Sequence, residues 1–285
     1  MPGLGLSAHN LGPQARASLE RRESMPKQFE VESIEDTDEK IMRGVGYSEE
    51  TIDEVKRQRE TIIPAPRPLE YRDIIYIAIM PDDSASIAGW NAAKRDNTKD
   101  VIAGHNAILD ALKGSQEARK ILFKTQYLNS DTLLNNWEVL DKAIPMTSAN
   151  FKPDGGTPLY DKTLSLLASV ILERARAIKR GSVQARWGIL IITDADDTAS
   201  VSKASKVKLI LDDMRKTGEL LDNCQPDNMH AGSIALMGIE DGTTDFEAVA
   251  HSMGINWILH ANRLDPSDIR RKFNTFSRRF LTALR

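Results

Sequence analysis

Cysteine is nearly missing from this chain: Cys224 is the only one among 285 residues, so no internal disulfide and no cysteine-rich zinc site can form. The five histidines (His9, His105, His230, His251, His260) are scattered and never adopt the one-turn spacing of a helical metal pair. Long apolar runs are absent as well; the longest are strand-sized, far short of the ~20 residues that cross a bilayer. The N-terminus has no basic segment leading into an apolar stretch, so no secretory signal is expected and the cytoplasm is the expected compartment. Neither sign of charge is in excess. A net charge of -3 gives no global electrostatic reason to expect nucleic acid or an anionic membrane as partner. Also missing are the phosphate loop G-x-x-x-x-G-K-[ST], the nucleophile elbow G-x-S-x-G and the zinc motif H-E-x-x-H.

What the chain does have is enough apolar content (41%) for a sizeable core, with an ordinary charged content of 28%. Residues 1–68 differ from the rest. They hold few large apolar side chains and many charges, and they end in Pro64-Ala65-Pro66-Arg67-Pro68. That composition predicts a flexible charged arm with a stiff Pro-rich linker, interrupted by one short helix from the cap Ser48 through residues 49–60.

Residues 69–285 read as one domain of alternating strands and helices. Residues 74–80 are a continuous β-branched and apolar run, the mark of a central parallel strand buried on both faces. Further strands are expected at 120–127, 185–193, 233–239 and 256–260, with a short edge strand beginning near 137–140. Helical spacing is clear at 101–112, 159–179 and around Val207, Ile210, Leu211 and Met214. A helix at 245–253 stops at Gly254, and a last one opens with Asp265-Pro266. There is no internal repeat. The pattern predicts an α/β fold: a doubly wound, mostly parallel central sheet with helices on both faces.

Oxygen-bearing residues gather at three strand or helix boundaries of this pattern. Asp82-Asp83-Ser84-Ala85-Ser86 follows the first buried strand, Gly155-Gly156-Thr157-Pro158 precedes the long helix, and Thr193-Asp194 ends the 185–193 strand. Loops leaving the carboxyl ends of parallel strands share one edge, where ligands bind. Asp82 and Asp194 therefore belong on that edge, and the Thr157 loop should join them. A set of carboxylates and hydroxyls without nitrogen or sulfur suits a hard ion: Mg²⁺ first, then Mn²⁺, with Ca²⁺ less suited because it takes more ligands.

In this order, D-x-S-x-S followed by a lone Thr and a lone Asp resembles the metal-ion-dependent adhesion site of von Willebrand factor A (vWA) domains. The resemblance covers roughly residues 70–285. It implies that Asp82, Ser84, Ser86, Thr157 and Asp194 hold the metal directly or through water, and that a partner's Asp or Glu completes the shell. It implies a protein-binding module, not an enzyme. Gly-Gly-Thr-Pro-Leu-Tyr-Asp at 155–161 is more similar to cytoplasmic bacterial vWA proteins, which often work beside AAA+ ATPases or in stress systems. Two positions depart from the family pattern, Ala85 and Ala195, where glycine is common.

The alternative from another class is a Mg²⁺-dependent phosphatase or hydrolase on a similar sheet. A haloacid-dehalogenase-type enzyme needs a second Asp two residues after the first, where Ser84 stands. Asp83 is expected to point to solvent, and Asp196 and Asp197 to form a solvated acidic loop. Cys224 reads as a loop thiol, His105 as a satisfied core residue, and the basic residues of the last helix as a solvated face.

Overall fold

The structure, a computed structural model, describes residues 34–64, 73–89, 95–182, 184–221, 232–240, 242–262 and 265–283. Its centre is a six-stranded sheet of β1 (Asp73–Pro81), β2 (Ile121–Gln126), β3 (Leu133–Val139), β4 (Gln184–Thr193), β5 (Ser233–Ile239) and β6 (Trp257–Ala261). The strand order is β3-β2-β1-β4-β5-β6. All neighbours are parallel except β3, which runs antiparallel to β2 at the edge. The winding reverses direction between β1 and β4, and the crevice beyond their carboxyl ends is where doubly wound sheets place ligands.

Alternation along β1 shows why its sequence is apolar throughout. Ile74, Tyr76, Ala78 and Met80 join one core cluster, and Ile75, Ile77 and Ile79 join the other. On the second side lie α3 (Thr98–Lys113) and α7 (Pro266–Ala283), whose Val101, Ile108, Leu109, Ile269, Phe273 and Phe276 are buried together. They approach so closely at Gly104 that a Cβ there would lie 2.2 Å from the Phe273 ring. The first side carries α4 (Leu159–Lys179), α5 (Ala204–Lys216) and α6 (Phe246–Ser252). Cys224, read as a loop thiol, lies outside the described residues.

The edge strand differs from expectation by starting four residues earlier, at Leu133. Its apolar face is irregular: register shifts interrupt its pairing with β2, and Trp137 adopts a positive φ of 53°. That kink turns the indole inward, edge-on to Tyr76 with centroids 5.2 Å apart, and Nε1 donates to Ser169 Oγ at 2.9 Å. Polar Asn135 and Asn136 hid the strand's beginning. Asn135 is spent on bonding the Ile144 backbone in both directions, at 2.7 and 3.0 Å.

A larger difference lies in the expected arm. Residues from Asp38 onward belong to the same compact unit as the sheet. Among the described residues two helices precede β1: α1 (Ile34–Val45) and α2 (Glu49–Arg59). Ser48 caps α2 as expected, accepting from the Thr51 N–H at 3.2 Å. The correction concerns residues 38–62, which are not a free arm: Met42, Tyr47, Ile52 and Val55 are buried in the first core cluster, with α2 against α4. Polar anchors reinforce them. Asp213 on α5 accepts from the Ser48 N–H at 3.1 Å and from Thr51 Oγ1 at 2.6 Å, and the Tyr47 hydroxyl donates to Glu219. Mean composition predicted disorder because apolar residues here are few; Met42, Tyr47, Ile52 and Val55, on α1, the loop after it and α2, are all buried in the core, and that shared burial is what folds the segment.

His105, on the buried face of α3, is a satisfied core residue as expected. Its Nε2 lies 2.9 Å from Thr125 Oγ1 and its Nδ1 lies 3.1 Å from Asn106 Oδ1. Burial pushes its pKa down to about 4, partly opposed by the Asn106 contact. The unfolded chain takes up this proton near pH 6.5, whereas the native protein resists it until about pH 4. The stabilisation is therefore complete above pH 6.5 and is lost as pH falls from there toward 4. Urea denaturation should show His105→Gln losing less stability than wild type between pH 7.5 and pH 5, by about 2 kcal/mol. Parallel losses in the two proteins would contradict this.

Candidate metal centre

Asp82 leaves β1 at the sheet's switch point and Asp194 leaves the adjacent β4, so the two carboxylates are brought together from positions 112 residues apart in sequence. Both are buried, at 0% and 1% exposure. Asp82 is fixed from three sides. Its own N–H donates to the Ile192 carbonyl at 2.8 Å, continuing the β1–β4 ladder by one residue. Its Oδ1 accepts from the Ser84 N–H at 2.8 Å, an Asx-turn that curls the chain back toward the carboxylate. Its Oδ2 accepts from Thr193 Oγ1 at 2.6 Å.

That turn brings the serines into line. Ser84 Oγ and Ser86 Oγ are 2.8 Å apart, and Ser86 Oγ donates to Asp194 Oδ1 at 2.5 Å. A continuous hydrogen-bonded chain thus runs from Asp82 through Ser84 and Ser86 to Asp194. Thr157 is also buried, and its backbone bonds to Thr198, outside that chain. Its N–H donates to Thr198 Oγ1 at 2.9 Å and its carbonyl accepts from the Thr198 N–H at 3.0 Å. The preceding glycines close the third side. The Gly155 carbonyl accepts from the Ala85 N–H at 3.2 Å, and the Asp154 N–H donates to the Asp83 carbonyl at 2.8 Å. Gly155 has φ +74°, and a Cβ there would meet the Asn129 amide at 2.8 Å, so the close approach of these loops needs glycine. Ala85 and Ala195 have ordinary negative φ; among the described residues the one non-glycine with positive φ is Trp137. Alanine at those two positions is unstrained.

Asp83 corrects its expectation. It does not face solvent but is buried, accepting from the Asn129 N–H at 2.5 Å and the Ser130 N–H at 3.2 Å. It fastens the turn after β2 to the metal-centre loop. The acidic loop is also more organised than expected. Asp197 Oδ1 accepts from the Tyr160 N–H (3.3 Å) and Ser200 Oγ (2.5 Å), and exposed Asp196 accepts from the Tyr160 hydroxyl at 3.2 Å. Asp161 holds the far side of this loop, accepting from the Val201 and Ser202 N–H groups at 2.8 and 3.0 Å.

Sequence reading named Thr193 beside Asp194 but gave it no role, and it missed Thr198. Thr193 is wholly buried, binds Asp82 and accepts from the Ala195 N–H at 3.1 Å, shaping both sides of the β4 exit. A hydroxyl closing an otherwise apolar run was its only signal.

Burial, with Asp194 nearby, pushes the Asp82 carboxyl up to about 7, against the lowering effect of hydrogen bonds from Ser84 and Thr193. Two buried carboxylates held this close repel one another unless a proton or cation lies between them. Among the described residues no group of three or more His, Cys, Asp or Glu side chains is arranged as a metal site, so any ion here would rely on hydroxyl oxygens as well as the two acids.

No protein-family model and no curated protein sequence matches this chain. Solved structures do resemble it. The PilB minor pilin from Streptococcus sanguinis is 11% identical with a TM-score of 0.51, over 77% of this chain and 64% of that one. The SpRpn10 VWA domain is 12% identical with a TM-score of 0.43, over 71% of this chain and 95% of that one. The mussel byssus proximal thread matrix protein 1, described with a zinc-occupied MIDAS motif, is 16% identical with a TM-score of 0.40, over 72% and 46%. The chain spans less than two-thirds of the pilin's length. At 11% identity the likeness to the pilin is one of fold alone, and the fold here is an α/β one with a mostly parallel central sheet. Among the described residues no helix is long and apolar enough to cross a membrane.

Proposed function

We propose that this chain is a vWA-type module that binds a protein partner through a divalent cation held by Asp82, Ser84, Ser86, Thr157 and Asp194. The observation that carries this reading is the buried Asp82–Asp194 pair linked through Ser84 and Ser86. A cation between two such acids would offset both their repulsion and their desolvation. The donors are oxygens, two charged and three neutral, which fits a hard ion that keeps several waters; Mg²⁺ fits best, then Mn²⁺ and Ca²⁺. When bound, the ion would offer a Lewis-acidic position to a carboxylate from the partner. The protein's own residues supply the rest. Thr193 and the Ser84 N–H hold Asp82 in one orientation, Asp83 and Asn129 fix the loop, and the Thr157–Thr198 pairing holds the third wall.

The partner in this reading presents an Asp or Glu, and the setting is a cytoplasmic bacterial one in which an AAA+ ATPase or a stress-response assembly is the working companion. Affinity capture from a cell extract with and without EDTA tests it, followed by rebinding of each captured protein in purified form. Rebinding that needs Mg²⁺ supports the reading; rebinding unchanged by EDTA would remove the metal from recognition. Thr157→Ala should retain Mn²⁺ within a few-fold, because water replaces a neutral hydroxyl ligand, yet weaken the rebound partner by about 10- to 100-fold. Equal partner affinity in the variant would move recognition away from this face.

A further inference from the structure

A cleft beside the loops of the candidate metal centre is lined by none of the five proposed metal donors. It has a volume of about 440 Å³ and opens between the end of α2, the β2–β3 edge and α4, within the size range of small-molecule pockets. Its wall after α2 is pinned in place, since Asn136 Nδ2 donates to the Ile63 and Pro64 carbonyls at 3.2 and 3.1 Å. That wall presents Ile62 and Ile63, and Ile63 is 58% exposed. Leu133 faces them from β3.

Lys124, in the middle of β2, also lines the cleft although its residue is only 2% exposed. Its Nζ donates to Asn136 Oδ1 at 3.1 Å and sits 5.4 Å from the Trp137 ring centroid. Among the described residues no carboxylate lies within ion-pair distance of it. Glu173 attracts it from farther off but is itself paired with Arg176 at 2.5 Å. Burial lowers its pKa to about 8, which still leaves it mostly charged at neutral pH. The other charged groups of the cleft are engaged. Lys162 pairs with Asp131 at 2.6 Å, and the oxygens of Asp161 accept from Val201 and Ser202. A buried cation with no carboxylate in contact is costly, and one that opens into a cavity is an anchor for an anion.

We propose that this cleft binds a small amphiphilic carboxylate, its charged end on Lys124 and its apolar body against Ile62, Ile63 and Leu133. A phosphate fits less well. Among the described residues no arginine lines the cleft, Lys162 is already paired with Asp131, and the donors Gln126 and Ser165 are neutral, so Lys124 is left to balance a monoanion.

Calorimetry of the full chain with hexanoate tests this, with hexanol and hexylamine as neutral and charge-reversed probes of equal length. Hexanoate should bind one-to-one and at least tenfold more tightly than hexanol, with no binding of hexylamine. Lys124→Met, which keeps the side chain's volume and removes its charge, should weaken hexanoate at least tenfold. Ser165→Trp, on the half-exposed side of α4, should abolish binding by filling the cleft, with circular dichroism confirming that each variant is folded. Hexanoate binding no tighter than hexanol, or unchanged in either folded variant, would overturn the proposal.

Discussion

Replacing Asp82 by Ala should abolish Mn²⁺ binding, a loss of more than about 100-fold or ~2.7 kcal/mol, while the fold persists. Asp82 is the donor most completely enclosed, and its removal takes away half of the formal negative charge assigned to the ion. Persistence of the fold follows from position: the residue stands beyond the end of β1, where the ladder has nearly finished. Asp82→Asn makes a sharper comparison. It keeps the shape and removes a carboxylate that is buried beside another, so the metal-free variant should be at least as stable as metal-free wild type. Added Mn²⁺ should raise the wild-type Tm and leave that of the variant unchanged. Equal Mn²⁺ affinity in wild type and Asp82→Ala would end the assignment of this site.

A second large effect is expected far from the metal centre. Ile52 on α2 is fully buried in the core cluster shared with α4 and α5. Ile52→Ala should cost about 2–5 kcal/mol and lower the Tm by roughly 5–15 °C. A loosely attached arm would give almost no change, so thermal denaturation of this one variant separates the two pictures. Limited proteolysis makes the same point: a stable fragment should retain α2, and cleavage near residue 64 alone should not release a stable domain. Survival of a folded fragment beginning after residue 64 would contradict the packing described for α2.

The sheet was legible because burial on both faces leaves a run such as 74–80 with no polar position, and few other environments do so. The helix over 159–179 was legible from its spacing alone, and its ends agree with the structure at both residues. The docked helices α1 and α2 were not, because composition averages over a segment, whereas packing depends on which face a few residues share. Glu54 and Asp38 count as charges in any average, yet both are buried, with Glu54 bound to Arg57 and Gln58. At the candidate site, Asp82, Ser84, Ser86 and Asp194 could be picked out because each carries a functional group at a strand exit. Asp83 could not be placed, since its role is set by the Asn129 and Ser130 N–H groups, more than forty residues away. Backbone donors have no signature in sequence.

The docking of α2 also sets an order of events during synthesis. The Tyr47–Glu219 bond joins groups 172 residues apart, and the α4 and α5 faces that receive α2 lie far downstream of it in the chain. At ~5–20 residues per second, the first helices leave the ribosome roughly 10–30 s before their docking surface exists. During that interval Met42, Ile52 and Val55 have nothing native to pack against, and a helix of eleven residues is marginal alone in water. These helices, made before the sheet, are therefore among the last parts to become native, and the nascent chain exposes their apolar residues until α4 and α5 have been made.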